Sequence, residues 1–292
     1  MVRDRLLPAT FGVLFLAAAL AAQDESRARF SSNVQAVEVY ATVTDASGEP
    51  VTGLRAGDFQ LDDDGRSQTI TTFAEGAFPL TVALGVDRSL SMAGEPVRLA
   101  RRAAQSFLRQ LRPDDRSMVV AISAEADVVA PLDAPREAQV QAVAGLDAWS
   151  TTALRDSVVK TLDRLAPEGG RQALVVFSDG TDRYSQVSAE AMLQRARRGS
   201  ALVYPIVLGR AQVAVLSDLA RLTGGRAFAL RDAAGLDDAL GSIGRELRHQ
   251  YLLGYAPAGA VEPGRWHPIR LRVRGQETGA WRVRARDGYE AR

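Results

Sequence analysis

Apolar and polar positions between Pro79 and Leu247 follow two alternating periodicities. Short, continuous apolar runs predict strands that are buried on both faces, as the strands of a parallel sheet are. The predicted strands are Leu80–Val86, Ser117–Ser123, Asp127–Pro131, Gln172–Phe177, Ala201–Leu208 and Ala227–Leu230. Between these runs the apolar positions recur at helical spacing, as in the helix predicted over Pro96–Leu111. The alternation predicts an α/β fold with a doubly wound, mainly parallel sheet and helices on both sides.

Strand patterns flank this region on both sides. Residues 33–76 alternate between apolar and polar positions, and Asp64-Gly65 is a strong hairpin signal. In the C-terminal segment three apolar residues alternate with three basic ones: Ile269, Arg270, Leu271, Arg272, Val273 and Arg274. For these arginines a solvated strand face is favoured over a binding surface. Because each segment is too short to bury its own apolar face, we predict that the two form one β-sandwich-like unit.

The first residues have the pattern of an export signal. Arg3 and Arg5 precede an unbroken run of apolar or small residues, Phe11–Ala22, which contains the cleavage motif Ala19-Leu20-Ala21. The run is shorter than the about 20 residues that span a bilayer. We therefore predict an exported protein, periplasmic or secreted, with no membrane span after signal removal. The predicted parts of the chain are a signal peptide (1–22), an N-terminal β segment (23–76), the α/β domain (77–247) and a C-terminal β segment (248–292).

Composition adds two exclusions. The formal net charge of the 292 residues is +1, which gives no reason to expect a nucleic-acid partner. Cysteine is absent, and this excludes disulfides and zinc bound by thiolates.

Small polar side chains follow the first strand of the α/β region directly. Asp87, Ser89 and Ser91 lie just beyond Leu80–Val86, where ligands of open α/β sheets bind. Two further oxygen sources come later in the chain: Thr151 and Thr152 precede an apolar helix, and Asp179 follows a buried strand. Hard divalent cations prefer oxygen ligands, and small side chains allow several of them to converge. The pattern predicts a cation site at this edge of the sheet, although each residue alone is also typical of a turn or a helix cap.

Three motifs carry a family resemblance. D-x-S-x-S after the first strand, a threonine before Ala153-Leu154 and a later strand ending in Ser-Asp-Gly resemble, in that order, the von Willebrand factor type A domain. The resemblance covers about Pro79 to Leu247. The flanking stretches "VTGLRAGDFQLDDDG", "ELRHQYLLGYAP" and "RVRARDGY" resemble the exported bacterial proteins of the type A-related family described first in acidobacteria.

The resemblance implies a metal-ion-dependent adhesion site and a function in binding a protein partner. Ser89 and Ser91 would bind the metal through their hydroxyls, and Asp87 would act mainly through water and by orienting the serines. Thr152 and Asp179 match the remaining family ligands. One coordination position stays open for a carboxylate of the partner. The hydroxyl ligands favour Mg²⁺, with Mn²⁺ and Ca²⁺ as alternatives.

Some neighbouring polar residues are interpreted differently. Arg88 stands at a position that is often small or uncharged in the family, and we expect its side chain to point to solvent. Asp182 is interpreted as a loop carboxylate. The run Asp62-Asp63-Asp64 lacks the spacing of a calcium loop and is interpreted as a solvated turn.

Enzyme motifs are lacking in the sequence. It contains no G-x-S-x-G, H-E-x-x-H, G-x-G-x-x-G or P-loop pattern. Its two histidines, His249 and His267, lie far in sequence from the serines and are expected to be partly exposed strand residues. We therefore predict a non-enzymatic binding module. A hydrolase without a known motif, and a structural envelope protein with a non-functional metal site, stay open as alternatives.

Overall fold

The computed structural model describes residues 36–76, 78–208, 214–230, 235–258, 261–274, 276 and 279–291. The predicted signal peptide, residues 1–22, lies outside the described residues. Within the described ranges, no helix has the length and apolar character needed to cross a membrane.

The α/β part is built on a six-stranded sheet. In spatial order its strands are β10 (Phe228–Leu230), β9 (Leu202–Leu208), β8 (Arg171–Ser178), β5 (Leu80–Asp87), β6 (Arg116–Ile122) and β7 (Ala126–Ala130). All pairings are parallel except that of the edge strand β7 with β6. The six predicted strands and the mainly parallel sheet are thereby confirmed.

Helices cover both faces of this sheet. The described helices are α1 (Glu95–Gln110), α2 (Arg136–Ala144), α3 (Leu154–Leu165), α4 (Ala189–Arg198), α5 (Ala214–Thr223) and α6 (Leu236–Arg248). In β5, Val82 and Leu84 belong to the core under α1, α2 and α6, whereas Ala83 belongs to the core under α3, α4 and α5. Both faces of the strand are therefore buried, which explains its continuous apolar sequence.

The chain's two flanking segments form a pair of four-stranded antiparallel sheets. One contains β13 (Trp281–Arg284), β1 (Val37–Asp45), β11 (Gln250–Tyr255) and β4 (Thr72–Gly76), in that order. The other contains β14 (Gly288–Glu290), β12 (Trp266–Val273), β2 (Phe59–Asp63) and β3 (Arg66–Gln68). Each sheet combines N-terminal and C-terminal strands, and residues of both sheets share one core that includes Val39, Leu61 and Tyr251. The predicted β-sandwich-like unit is confirmed, and we call it the β unit.

Two predictions within the β unit are wrong. Asp63 does not belong to a solvated turn, because its pairing with Ile269 extends β2 as far as this residue. Its buried carboxylate accepts hydrogen bonds from the hydroxyls of Tyr255 and Tyr289, both at 3.0 Å. His267 is only 4% exposed, and its Nδ1 lies 3.7 Å from the Asp63 carboxylate. Polar side chains are tolerated in a core when they are hydrogen-bonded, as the hydroxyls of Tyr255 and Tyr289 are by the Asp63 carboxylate.

The two parts of the molecule join at the amino ends of the parallel strands. The buried guanidinium of Arg171, at the start of β8, donates to the carbonyls of Phe78 and Leu247 on the two connecting segments. Burial lowers the pKa of Arg171 to about 10. At a second junction Gly224 has φ +83°, and a Cβ there would lie 2.7 Å from the Ala285 carbonyl carbon. Glycine is required at that position for both reasons.

Candidate metal centre

Three loops meet at the carboxyl ends of β5 and β8. They are residues 88–94 after β5, 149–153 before α3 and 179–188 after β8, and we call them the first, second and third loops. Backbone hydrogen bonds connect the first loop to the second, from Trp149 to Arg88 at 2.6 Å and from Leu90 to Ser150 at 3.0 Å. The second and third loops are connected by a bond from the Tyr184 amide to the Thr152 carbonyl, 3.2 Å long. The three loops therefore hold one another in place.

Asp87 lies at the base of this arrangement and is completely buried. Its Oδ1 accepts a hydrogen bond from the Ser89 amide at 2.9 Å, and its Oδ2 accepts one from the Ser178 hydroxyl at 2.5 Å. The Ser89 and Ser91 hydroxyl oxygens lie 3.0 Å apart. Ser89 is buried and Ser91 is exposed, so the row of oxygens leads from the interior to the surface.

The spacing of these hydroxyls fits a small hard cation. Adjacent ligands of an octahedral Mg²⁺ at 2.0–2.1 Å lie about 3 Å apart, which is the separation of the Ser89 and Ser91 oxygens. In the part of the chain that the structure describes, no three His, Cys, Asp or Glu side chains form a group that could hold a metal. A cation here would therefore depend on hydroxyl ligands together with two carboxylates.

Asp179 and Thr152 complete the set of predicted ligands. Their connections to Asp87, Ser89 and Ser91 are less direct. Asp179 is half-buried, and its Oδ1 accepts the Thr181 amide at 2.9 Å. Thr152 is buried, but within the described residues no hydrogen bond joins its side chain to those of the other four. Direct contacts thus unite Asp87, Ser89 and Ser91, while Thr152 is tied to the site through the backbone of the third loop.

The electrostatics of the site disfavour a negative charge on Asp87. Burial raises the pKa of the Asp87 carboxyl above its ordinary value of 3.8, and the nearby Asp179 carboxylate raises it further. Hydrogen bonds from Ser178 and Ser89 partly oppose this rise in pKa. A cation among the loops would relieve the repulsion between the two carboxylates and would favour the ionised form.

The hydroxyl of Ser178 was not among the predicted site residues. The sequence indicates a role for Ser178 only through its position, because it immediately precedes Asp179 at the end of a buried strand. Because β8 lies beside β5 with Phe177 opposite Val86, Ser178 reaches the carboxylate of Asp87. Ser178 therefore positions the carboxylate of Asp87, which in turn fixes the turn that carries Ser89 and Ser91.

Arg88 and Asp182 are engaged by neighbours outside the ligand set. Arg88 is half-buried, and its guanidinium lies over the Trp149 ring at 5.3 Å, so the expectation that it points freely to solvent is wrong. Stacking on an indole face is favourable for a cation. Asp182 accepts the Arg155 amide at 3.0 Å and the Arg155 Nε at 2.9 Å. It thereby fixes the third loop to the start of α3.

Each of the three loops also exposes one large apolar side chain. Leu90, Trp149 and Tyr184 are 65%, 64% and 56% exposed, and they belong to the first, second and third loops respectively. Elsewhere in the described residues the large apolar side chains are much better covered, with Val129 at 36% the next most exposed. We call these three residues the apolar rim. Apolar surface gathered around a polar site is typical of a protein interaction surface.

Comparisons with known proteins agree with this fold. The family model described as "von Willebrand factor type A domain" matches residues 82–241. The von Willebrand factor type A structure from Catenulispora acidiphila has a TM-score of 0.53 and 16% identity, covering 88% of this chain and 72% of that chain. Proximal thread matrix protein 1 from the mussel byssus, solved with a zinc-occupied MIDAS motif, has a TM-score of 0.50 and 16% identity. That match covers 63% of this chain and 48% of the mussel chain.

A further similar structure is the conserved hypothetical protein BatB from Bacteroides thetaiotaomicron. Its TM-score is 0.49 at 16% identity, and the match covers 57% of this chain and 97% of BatB. No curated protein matches the sequence. At these identities the Catenulispora acidiphila and mussel structures show the fold alone.

Proposed function

The chain belongs to the von Willebrand factor type A domain family, and we propose that it is an exported, non-enzymatic module that binds a protein partner through a divalent cation. Domains of this family generally mediate protein–protein interaction through a metal-ion-dependent adhesion site, and they are typically not enzymes. The observation that carries the proposal is the pair of adjacent hydroxyls, Ser89 and Ser91, in front of the buried Asp87 carboxylate.

The proposed ligands divide into two groups. Ser89 and Ser91 bind the cation directly, and their 3.0 Å separation supports this role. Asp87 acts through water and orients the turn, which is supported by its acceptance of the Ser89 amide. Thr152 and Asp179 supply the remaining oxygens from the second and third loops.

We propose Mg²⁺ as the cation. Oxygen ligands with small side chains leave room for the water molecules that Mg²⁺ retains. Mn²⁺ and Ca²⁺ share the preference for oxygen, so both belong in the same titration. The cation would supply positive charge at the site, and the partner's carboxylate would complete its coordination.

The apolar rim supports a macromolecular partner rather than a free small acid. A carboxylate on a protein reaches the cation together with its neighbouring residues, which then cover Leu90, Trp149 and Tyr184. The exposed indole of Trp149 is a strong candidate for a binding hot spot, since tryptophan is enriched among them. Arg88, stacked on that ring, adds a positive charge that suits an acidic partner.

We propose export on the sequence of residues 1–22, which has the charged, apolar and small-residue regions of a signal peptide. The same proposal includes the division into segments 23–76, 77–247 and 248–292. Its support is that the chain enters and leaves the α/β part near residues 77 and 248, where Phe78 and Leu247 both contact Arg171.

Thermal unfolding with Mg²⁺, Mn²⁺ or EDTA tests the metal centre. A cation at about 100 times its dissociation constant stabilises the folded chain by about 2.7 kcal/mol if the unfolded chain does not bind it. Ser89→Ala removes a direct ligand without emptying a core, so it should retain its fold and lose most of this shift. Thr151→Ala is the matched control and should shift as the wild type does.

Two outcomes would contradict the proposal. Equal metal-dependent shifts in the wild type and in Ser89→Ala would exclude Ser89 as a ligand. Affinity capture from envelope extracts, performed with and without chelator, tests whether partner binding depends on the cation. Retention of the same proteins in both conditions would show that binding does not use the cation.

A further inference from the structure

A cavity lies where α5 meets the β unit, at the end of the parallel sheet opposite the three loops. It has a volume of about 500 Å³, within the usual range of small-molecule sites. Its lining comes from the end of α5, from the segment before β10, and from β12 and β13 with the residues that follow. Since the segment before β10 is at the amino end of a parallel strand, the cavity is remote from the three loops.

Arginine dominates the charge of this lining. Five guanidinium groups and one carboxylate border the cavity, namely Arg221, Arg226, Arg270, Arg284, Arg286 and Asp287. The acid is already engaged by a residue outside the lining, because Asp287 accepts a hydrogen bond from Arg197 at 3.1 Å. The cavity therefore carries an excess of positive charge.

Two of the arginines are held in place by one buried acid. Glu246 is only 1% exposed, and it pairs with Arg284 at 2.7 Å and with Arg226 at 3.5 Å. A single carboxylate neutralises only one of these two guanidinium groups. The pairing fixes their positions and leaves a net positive charge at the cavity wall.

Arg270 is the least engaged of the five. In the described part of the chain its guanidinium has no hydrogen-bond or ion-pair partner. Asp62 lies opposite Arg270 in β2, but that carboxylate is bound by Arg272 at 2.7 Å. Among the described residues the Arg221 guanidinium pairs only with Asp218, as an exposed pair one turn apart, and such pairs are weak. Both side chains are therefore free to bind another anion.

We propose that this cavity is a binding site for a small, multiply charged anion that presents phosphate or carboxylate oxygens. Guanidinium groups bind such oxygens in a bidentate manner, and several of them around one cavity select for more than one negative charge. Ile269, Leu271 and Val283 provide apolar walls that strengthen these charge interactions. The site would join the α/β part to the β unit through the ligand, because each contributes arginines to it.

Isothermal titration calorimetry with inorganic pyrophosphate and with citrate tests this site. The full chain is first freed of cations with EDTA and then transferred into EDTA-free buffer, because EDTA is itself a multiply charged carboxylate that would compete for the cavity. Arg270→Gln and Arg221→Gln should each weaken binding about tenfold, as expected for the loss of a charge-assisted hydrogen bond. Arg274→Gln is the control, because Arg274 is exposed directly after the end of β12 and lies outside the cavity. Thermal unfolding of each variant verifies its fold.

Saturable binding of pyrophosphate, of citrate or of both, weakened by Arg270→Gln but not by Arg274→Gln, would support the proposal. A preference for one anion would identify a phosphate or a carboxylate ligand. Binding should also weaken with added NaCl at constant pH, because salt screens such interactions. The proposal is overturned if neither anion binds saturably, or if Arg274→Gln weakens binding as much as Arg270→Gln does.

Discussion

The Ser178 hydroxyl donates a hydrogen bond of 2.5 Å to the carboxylate of Asp87, which lies at the end of the neighbouring parallel strand. This bond positions the one fully buried acid of the candidate metal centre. Asp87 in turn accepts the Ser89 amide and fixes the turn that carries both serine hydroxyls. The geometry of the two serine ligands is thus set from inside the sheet.

The metal-free chain should lose stability as the pH rises above 3.8 because of Asp87. Its pKa is raised in the folded state, mainly by burial, so the folded chain binds more protons than the unfolded chain in this interval. The contribution of Asp87 to the free energy of unfolding must then fall as pH rises from 3.8 through the folded-state pKa. The stabilisation by Mg²⁺ should show the opposite trend, because the cation competes with the proton on Asp87.

Asp87→Asn provides the matched comparison for this pH dependence. Urea unfolding of both proteins in EDTA, at several pH values, gives a difference curve in which the other acids cancel. Among them is Asp115, whose pKa is lowered by Arg248 and others despite its burial, so that its contribution has the opposite sign. A difference curve without slope above pH 3.8 would contradict the raised pKa of Asp87.

Trp149→Ala should reduce partner binding more than it reduces metal binding. The indole is 64% exposed, so its removal costs little stability, although Arg88 loses its stacking partner. Loss of a hot-spot tryptophan typically costs about 2 kcal/mol or more in binding free energy. Val129→Ala is the control, since Val129 is also exposed but lies on the edge strand β7. Binding of each variant to partners captured from extracts is measured at saturating Mg²⁺. Equal binding by the two variants would contradict the role of the apolar rim.

Asp63→Ala should be strongly destabilising although no metal or ligand depends on this residue. It leaves the buried hydroxyls of Tyr255 and Tyr289 without their acceptor, at a cost of about 1–3 kcal/mol for each unsatisfied group. Asp64→Asn should change the free energy of unfolding by less than about 1 kcal/mol, because its pair with Arg265 is on the surface and Asn tolerates the φ of 51° at this position. Urea unfolding of the two variants makes the comparison, and similar midpoints would show that the cluster contributes little.

Gly225→Ala should disrupt the contact between the turn that follows α5 and strand β9. A Cβ at this position would overlap the carbonyl oxygen of Val203, which is part of the sheet backbone and cannot move aside easily. Overpacking of this kind costs about 1–3 kcal/mol and sometimes more. Gly57→Ala serves as the control, because a Cβ there meets nothing within 4 Å. Thermal unfolding should therefore separate the two variants, and equal melting temperatures would contradict the close approach.

The α/β part was readable from the sequence because both faces of its strands are buried. Leu80–Asp87 illustrates this, since an uninterrupted apolar run leaves few other structures open to it. The same sheet geometry predicted that Asp87 and Asp179 would lie at one edge. Ser178 was missed because a single serine beside an aspartate has no periodic signal, and its role depends on which strand lies next to it.

Burial of polar residues in the β unit could not be predicted in the same way. Asp63 is the middle residue of the acidic run Asp62-Asp63-Asp64, which ends in a turn, and only its pairing with Ile269 places it in a strand. His267 is buried because Tyr289, 22 positions later, stacks on its ring at 5.2 Å. Such contacts are formed between distant segments, and local patterns contain no information about them.

Strands β4 and β11 are neighbours in one antiparallel sheet, and Gly76 pairs with Gln250 where that pairing ends. The whole α/β part therefore occupies the position that a hairpin turn holds between two such strands. In terms of chain topology it is an insertion with a single point of entry and exit. Paired Cα atoms of antiparallel strands lie about 5 Å apart, a gap that an Asn-Gly turn bridges. A chain in which that turn replaces residues 77–249 would retain every strand of the β unit, and the excised domain would carry the metal centre with it.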